Sequence, residues 1–139
     1  MGDIEFGARQ LEPQDYDKLV EWWNYYEFPP PPKEMLPDDA TCGLILHDSD
    51  GNEYCAGFLY ETNSKLCWIE YIVANPDIKD KEIRKEALTL LISCLTDLAD
   101  DWGNKYIFAS IKHPSLKERY LECGFLVGTD NTTELIKVL

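Results

Sequence analysis

Apolar residues return at two spacings along this chain, and the change from one spacing to the other marks out its elements. Ile4, Phe6, Ala8 and Leu11 alternate weakly with polar neighbours, which predicts a first strand over 4–11, ended by Glu12-Pro13. After Pro13 the period lengthens: Leu19, Trp22, Trp23 and Tyr26 recur at helical spacing, and Glu12 and Asp15 lie near the positive end of that helix, predicted over 13–27. Four consecutive prolines, Pro29 to Pro32, cannot continue a helix and impose a stiff extended segment. Pro37-Asp38-Asp39 then precedes a strand over 41–47.

Asp48-Ser49-Asp50-Gly51-Asn52 is a dense turn signal between two apolar runs, so a hairpin follows, with its second strand over 54–60. Glu61 to Lys65 makes another turn, and Leu66 to Ala74 is nearly continuously apolar, as in a strand covered on both faces. These strands form an antiparallel meander. From Lys79 to Trp102, apolar residues at 83, 87, 91, 94, 95, 98 and 102 step by three or four, a long helix lying across the sheet and ending near Gly103. Tyr106 to Ile111 is a β-branched and aromatic strand, and pairing it in parallel with the strand before the helix gives one right-handed crossover.

The segment from His113 to Phe125 reads as a short helix that stops at a glycine. Pro114 suits the first turn, Gly124 suits the left-handed position past the end, and Leu116, Tyr120 and Cys123 share one face. Final strands are expected at 125–128 and 133–138, around the turn from Gly128 to Asn131. The order is β, α, β, β, β, α, β, α, β, β, without internal repeat.

Composition narrows the function classes. A 139-residue chain with 45% apolar content suffices for one domain with one core. Lys and Arg number 13 against 26 for Asp and Glu, a net charge of −13, which argues against nucleic acid or an anionic membrane as partner and favours a cationic amine or basic protein surface. Five scattered cysteines (42, 55, 67, 94 and 123) form neither a disulfide framework nor a metal spacing, and read as reduced residues of a cytoplasmic protein with no metal. No apolar run reaches the length of a membrane span, and Asn131-Thr132-Thr133 reads as a turn rather than a glycosylation acceptor.

The Tyr120 helix, with Gly124-Phe125 after it, resembles the closing helix of the GNAT family of N-acetyltransferases, whose pattern there runs Asn, several residues, Tyr, several residues, Gly-Phe or Gly-Trp. The element order is also that of the GNAT fold, so the resemblance covers nearly the whole chain. It implies one GNAT-like domain over 1–139 of mixed α+β class, with a central mixed but mostly antiparallel sheet of six to seven strands and about four helices.

The resemblance further implies that acetyl-CoA, the acyl donor, lies where the fourth and fifth strands splay apart, its pantetheine arm pairing with Ile72, Val73 and Ala74. Asn75-Pro76-Asp77-Ile78 looks like the family's turn after that strand. The family then places glycines at the head of the long helix, where bare N–H groups cradle the pyrophosphate. Here the stretch reads Lys79-Asp80-Lys81-Glu82-Ile83-Arg84-Lys85: the leading cation is present, Glu82 and Arg84 stand at the two glycine positions, and Asp80 stands where another glycine is common. From Asp77 to Glu86 four acids meet four bases, so this loop is neutral within an acidic protein.

Acetyl transfer to an amine needs a proton acceptor, donors for the developing oxyanion and a proton source for the departing thiolate. Tyr120 suits the last role, although its spacing equally suits a core aromatic. Glu70, flanked by Ile69 and Tyr71, is the candidate base, its apolar setting raising its pKa, or else an ordinary solvent-facing residue of the sheet. His113 falls where the family has a cofactor-contacting Asn, and also where a helix cap belongs. Trp22, Trp23, Tyr26 and Phe28, with neighbouring carboxylates, offer a surface for a cationic small-molecule or peptide amine, some of them serving the core instead. Because the loop lacks glycines, a GNAT-like domain that has lost its cofactor and acts as an acidic interaction module is the competing reading, with a small-ligand binder on the first helix as a third. The sequence leaves monomer or homodimer open.

Overall fold

The predicted periodicities settle into one five-stranded sheet with helices on both faces, in a computed structural model that describes residues 3–139. The elements are β1 (Phe6–Gln10), α1 (Asp15–Tyr25), a 3-10 turn (Lys33–Met35), β2 (Gly43–Asp48), β3 (Glu53–Glu61), β4 (Leu66–Ala74), α2 (Lys81–Asp101), β5 (Tyr106–Ala109) and α3 (Pro114–Glu122). Strands lie in sequence order, antiparallel from β1 to β4, with β5 parallel to β4 across α2. Among the described residues no helix is long and apolar enough to cross a membrane.

The sheet divides the core in two. On one face Leu59, Cys67, Ile69, Leu91, Ile92 and Leu95 are buried between β3, β4 and α2. On the other, Leu19, Trp22 and Trp23 of α1 cover Ile45, Ala56, Phe58 and Val73. The predicted helical stripe of α2 reaches that core except at its end, where Trp102 stands exposed.

Two polar clusters fix the corners. Arg9 grips the buried Asp15 carboxylate through both terminal nitrogens, at 2.8 and 2.9 Å, and also reaches Glu53 at 3.0 Å, while Lys18 pairs with both acids. This bidentate grip ties β1, α1 and β3 together, and the hydrogen bond from Arg9 holds the Asp15 pKa down at about 2. In the β2–β3 hairpin Asp48 accepts from Tyr54 Oη at 2.7 Å and from the amides of Asp50 and Asn52 at 2.9 Å each, as the turn composition requires.

Among the described residues the strands number five where six to seven were expected, and three α-helices with one 3-10 turn stand where about four helices were expected. The missing strands are those expected at 125–128 and 133–138, where the chain is irregular. A local reason is visible at the end of α3. Gly124 takes φ +91°, the Phe125 amide donates back to the Tyr120 carbonyl at 3.2 Å, and the Phe125 ring folds edge-on against Tyr120 at 5.0 Å. Phe125 thus serves the helix terminus rather than opening a strand. The chain beyond it stands off from β5 across a cleft of about 690 Å³, lined by Phe108, Ser110 and Tyr120 on one side and by Leu126 to Thr132 on the other.

Candidate active site

The β3–β4 register slips between Ala56 and Phe58: Ala56 faces Val73 and Phe58 faces Glu70, so Tyr71 and Ile72 together oppose Gly57. This is a β-bulge, with Tyr71 held at φ +56°, a left-handed conformation that costs a non-glycine residue about 1–2 kcal/mol. Gly57 is required opposite it, because a Cβ there would meet Ile72 Cγ1 at 2.9 Å. The Tyr71 ring is supported edge-on by Trp23 at 6.4 Å and, in a tilted arrangement, by Tyr60 at 6.5 Å. Tyr60 in turn donates to the Met35 carbonyl and Tyr16 to the Pro31 carbonyl, both at 2.8 Å, so the chain near the end of the proline run is tied to two aromatic residues that pack on the same core cluster as Tyr71.

At the same level β4 parts from β5. Their pairing ends at Ile69 and Ala109, whereas β4 continues to Ala74. The next β5-side amide, Ser110 N, donates not to the β4 backbone but to Glu70 Oε1 at 3.1 Å. Glu70 is therefore the wedge of a fork. Beyond it the β4 backbone of Ile72, Val73 and Ala74 has β3 on one side and, among the described residues, no strand on the other.

Tyr120 comes into this fork from α3. It is 3% exposed, and burial, reinforced by the nearby Glu70 charge, pushes its hydroxyl pKa well up, so it remains protonated. Glu70 is raised too, first by burial and then by the Glu134 carboxylate, against the lowering effect of the Ser110 amide. The structure thus brings together Glu70 and Tyr120, 50 residues apart in sequence. It adds Ser110 and Glu134, neither of which sequence reading singled out. The strand predicted over 106–111 contained Ser110 but said nothing of its partner, and no local pattern marks Glu134.

The other candidates divide. Trp22 and Trp23 are buried under α1 and present no surface to an acceptor, whereas Tyr26 and Phe28 are exposed near its end. His113 acts as the cap of α3, its Nδ1 accepting from the Ser115 amide at 3.2 Å. Lys79 lies over the Tyr25 ring at 5.3 Å, and Arg84 lies close enough to Tyr26 to oppose the rise that burial causes in its pKa. At the head of α2 the Asp80 carboxylate accepts from the amides of Glu82 at 2.9 Å and Ile83 at 3.2 Å. Two of the N–H groups that a helix start offers an anion are therefore taken by the chain itself.

Comparison with solved structures shows how this arrangement of strands and helices is placed among known proteins. An acetyltransferase from Trypanosoma brucei matches at TM-score 0.63 and 15% identity, over 95% of this chain and 100% of that one. Glucosamine-6-phosphate N-acetyltransferase from Arabidopsis thaliana matches at TM-score 0.62 and 15% identity, over 95% and 99%. N-acetylglutamate synthase from Neisseria gonorrhoeae, complexed with coenzyme A and L-arginine, matches at TM-score 0.70 and 20% identity, over 95% of this chain and 30% of that one. The fold is that of the GNAT acetyltransferases. No protein-family model matches the sequence. No curated protein matches it either.

Against a coenzyme A thioester, the GNAT-type fork and the head of α2 give different answers. The fork fits the arm, because an extended chain bearing amides can add to the open side of β4 as a strand would. The head of α2 does not fit the diphosphate. The Glu82 and Ile83 amides that such a group would use are occupied by the Asp80 carboxylate, and the two positions that the resemblance gives to glycine carry Glu82 and Arg84.

Proposed function

We propose that this chain is an N-acetyltransferase that moves an acetyl group from a pantetheine thioester, of which acetyl-CoA is the common form, to the amine of a small molecule or peptide. The observation that carries the reading is the fork itself, where an interior strand end, a carboxylate with a raised pKa and a buried, protonated tyrosine meet. The thioester supplies an activated acetyl carbon. Glu70 takes the proton shed by the acceptor nitrogen as its bond to that carbon forms. As the carbon–sulfur bond breaks, Tyr120 donates a hydrogen bond to the departing sulfur; its raised pKa keeps the proton on the tyrosine, and solvent completes the protonation of the thiolate. Such positioned proton transfer contributes about 10²–10⁴-fold. Glu70, Glu134 and the overall negative charge favour a cationic acceptor.

Incubating the purified chain with millimolar acetyl-CoA or S-acetylpantetheine and a panel of polyamines and lysine peptides tests this. Acetylated amine and equimolar free thiol are expected, and their absence with every donor and acceptor overturns the reading. The second reading, a GNAT-like domain without activity that serves as an acidic interaction module, is favoured by the occupied helix start at Asp80 and is the outcome if no product forms.

A further inference from the structure

We infer that Asp80 serves as a built-in anion at the head of α2, so that this chain selects its acyl donor by the pantetheine arm and draws little affinity from the nucleotide diphosphate. The inference rests on the acetyltransferase reading above and names the donor class of the same site: pantetheine thioesters with or without a nucleotide.

A 21-residue helix presents its first N–H groups, and its positive dipole end, to whatever lies before it. Here that partner is already in place. Asp80 Oδ1 receives both the Glu82 and the Ile83 amides, and Arg84 N is committed to the Asp80 carbonyl at 3.0 Å. A phosphate arriving at this turn must expel the carboxylate or sit beside it. A fixed carboxylate about 5 Å from a phosphate charge lowers affinity by roughly fourfold at the dielectric of water and roughly three-hundredfold at that of a protein surface.

The neighbouring cations offset this only in part. Lys79 is engaged with the Tyr25 ring, and Lys85 pairs with Glu82 at 3.8 Å. That exposed pair is weak, and Lys81 and Arg84 make no ion pair among the described residues, so flexible surface charges attract a phosphate here but do not restore the two occupied amides. The fork beyond Glu70 has no such competitor, since among the described residues no strand pairs with the open side of Ile72 to Ala74. Recognition of the donor therefore concentrates on its arm.

Isothermal titration of coenzyme A and of pantetheine, which share the arm and differ in the nucleotide diphosphate, tests this. The native chain is expected to bind the two thiols within about threefold of each other. Asp80→Gly leaves a residue that still serves as a cap and frees both amides, so coenzyme A should tighten roughly tenfold while pantetheine stays unchanged. Asp80→Asn keeps the accepting oxygen and loses only the charge, so its gain should be smaller. Coenzyme A binding the native chain more than about tenfold tighter than pantetheine, or no gain in Asp80→Gly, overturns the proposal. If S-acetylpantetheine fails as donor while acetyl-CoA works, this inference falls and the acetyltransferase reading stands. If neither thiol binds either protein, both fall.

Discussion

The Ser110 amide lies 3.1 Å from Glu70 Oε1, so the residue that would have extended β5 against β4 is held by a side chain. The same contact holds the fork open and orients the carboxylate that faces it. Glu70 is therefore tied at once to the backbone geometry and to the proposed chemistry, and the two roles are separable by experiment.

Replacing Glu70 with Gln keeps an oxygen for the Ser110 amide and removes the base. Turnover should fall about 100-fold or more, with little change in KM for the donor. Because burial raises the Glu70 pKa, the native chain should gain activity as pH climbs through that raised value and the carboxylate ionises. Glu70→Gln should lack that limb. Rate profiles of the two proteins with one amine, whose own titration is common to both, check this, and superimposable profiles would remove Glu70 from the mechanism.

Tyr120→Phe should lower kcat about ten- to a hundredfold while leaving the fold intact, since the ring packs edge-on against Phe125 and the hydroxyl makes no hydrogen bond among the described residues. Urea unfolding alongside single-turnover kinetics distinguishes a lost donor from a lost core. A matched drop in stability and rate would mark Tyr120 as a structural residue only.

Arg9→Met should destabilise the chain by about 2–3 kcal/mol, since it leaves the buried Asp15 carboxylate with only the Glu12 amide and Lys18. The sign of the pH effect follows from the lowered Asp15 pKa. Its stabilisation is present above the unfolded-state value near 3.8 and is lost as pH falls toward about 2. Native stability should drop by about 1–2 kcal/mol over that window, discounted because Arg9 is about a third exposed. Arg9→Met should show a shallower acid limb, as read by chemical denaturation at stepped pH.

Gly43→Ala should cost more than about 3 kcal/mol, because the added Cβ lands on the Gly57 carbonyl oxygen and presses on Phe58 Cα at 3.0 Å. Gly128→Ala, with open space around its Cβ, should be neutral within about 0.5 kcal/mol. Thermal melts of the pair give the comparison directly.

Elements whose formation depends on their own side chains were readable from the sequence. The span from Leu66 to Ala74 agrees residue for residue, because a strand with a helix on each face is apolar at nearly every position, Glu70 being the exception. Pro114 and Gly124 bracket α3 for equally local reasons. The tail was misread because Leu135, Ile136 and Val138 look like strand residues, yet a strand exists only if an edge accepts it, and these residues stand 73–90% exposed. The site shows the same division. Glu70 and Tyr120 were identifiable from residue type and resemblance, whereas the Ser110 contact and the charge of Glu134 arise from approaches across the fold. Asp80 was visible as a departure, and only its two bonds to the helix amides show what the departure does.

The bulge at Tyr71 also acts as a phase shift in the alternation of β4. Before it, the odd-numbered Cys67 and Ile69 point into the core under α2; after it, the even-numbered Ile72 and Ala74 do, while Tyr71 and Val73 turn to the α1 side. One strand is thus written in two reading frames. The join between them is a single residue in a left-handed conformation. Deleting the join would set Ile72 alone opposite Gly57 and restore a regular ladder with every face kept, whereas a deletion anywhere else in β4 would leave the bulge and exchange inside for outside on one side of it.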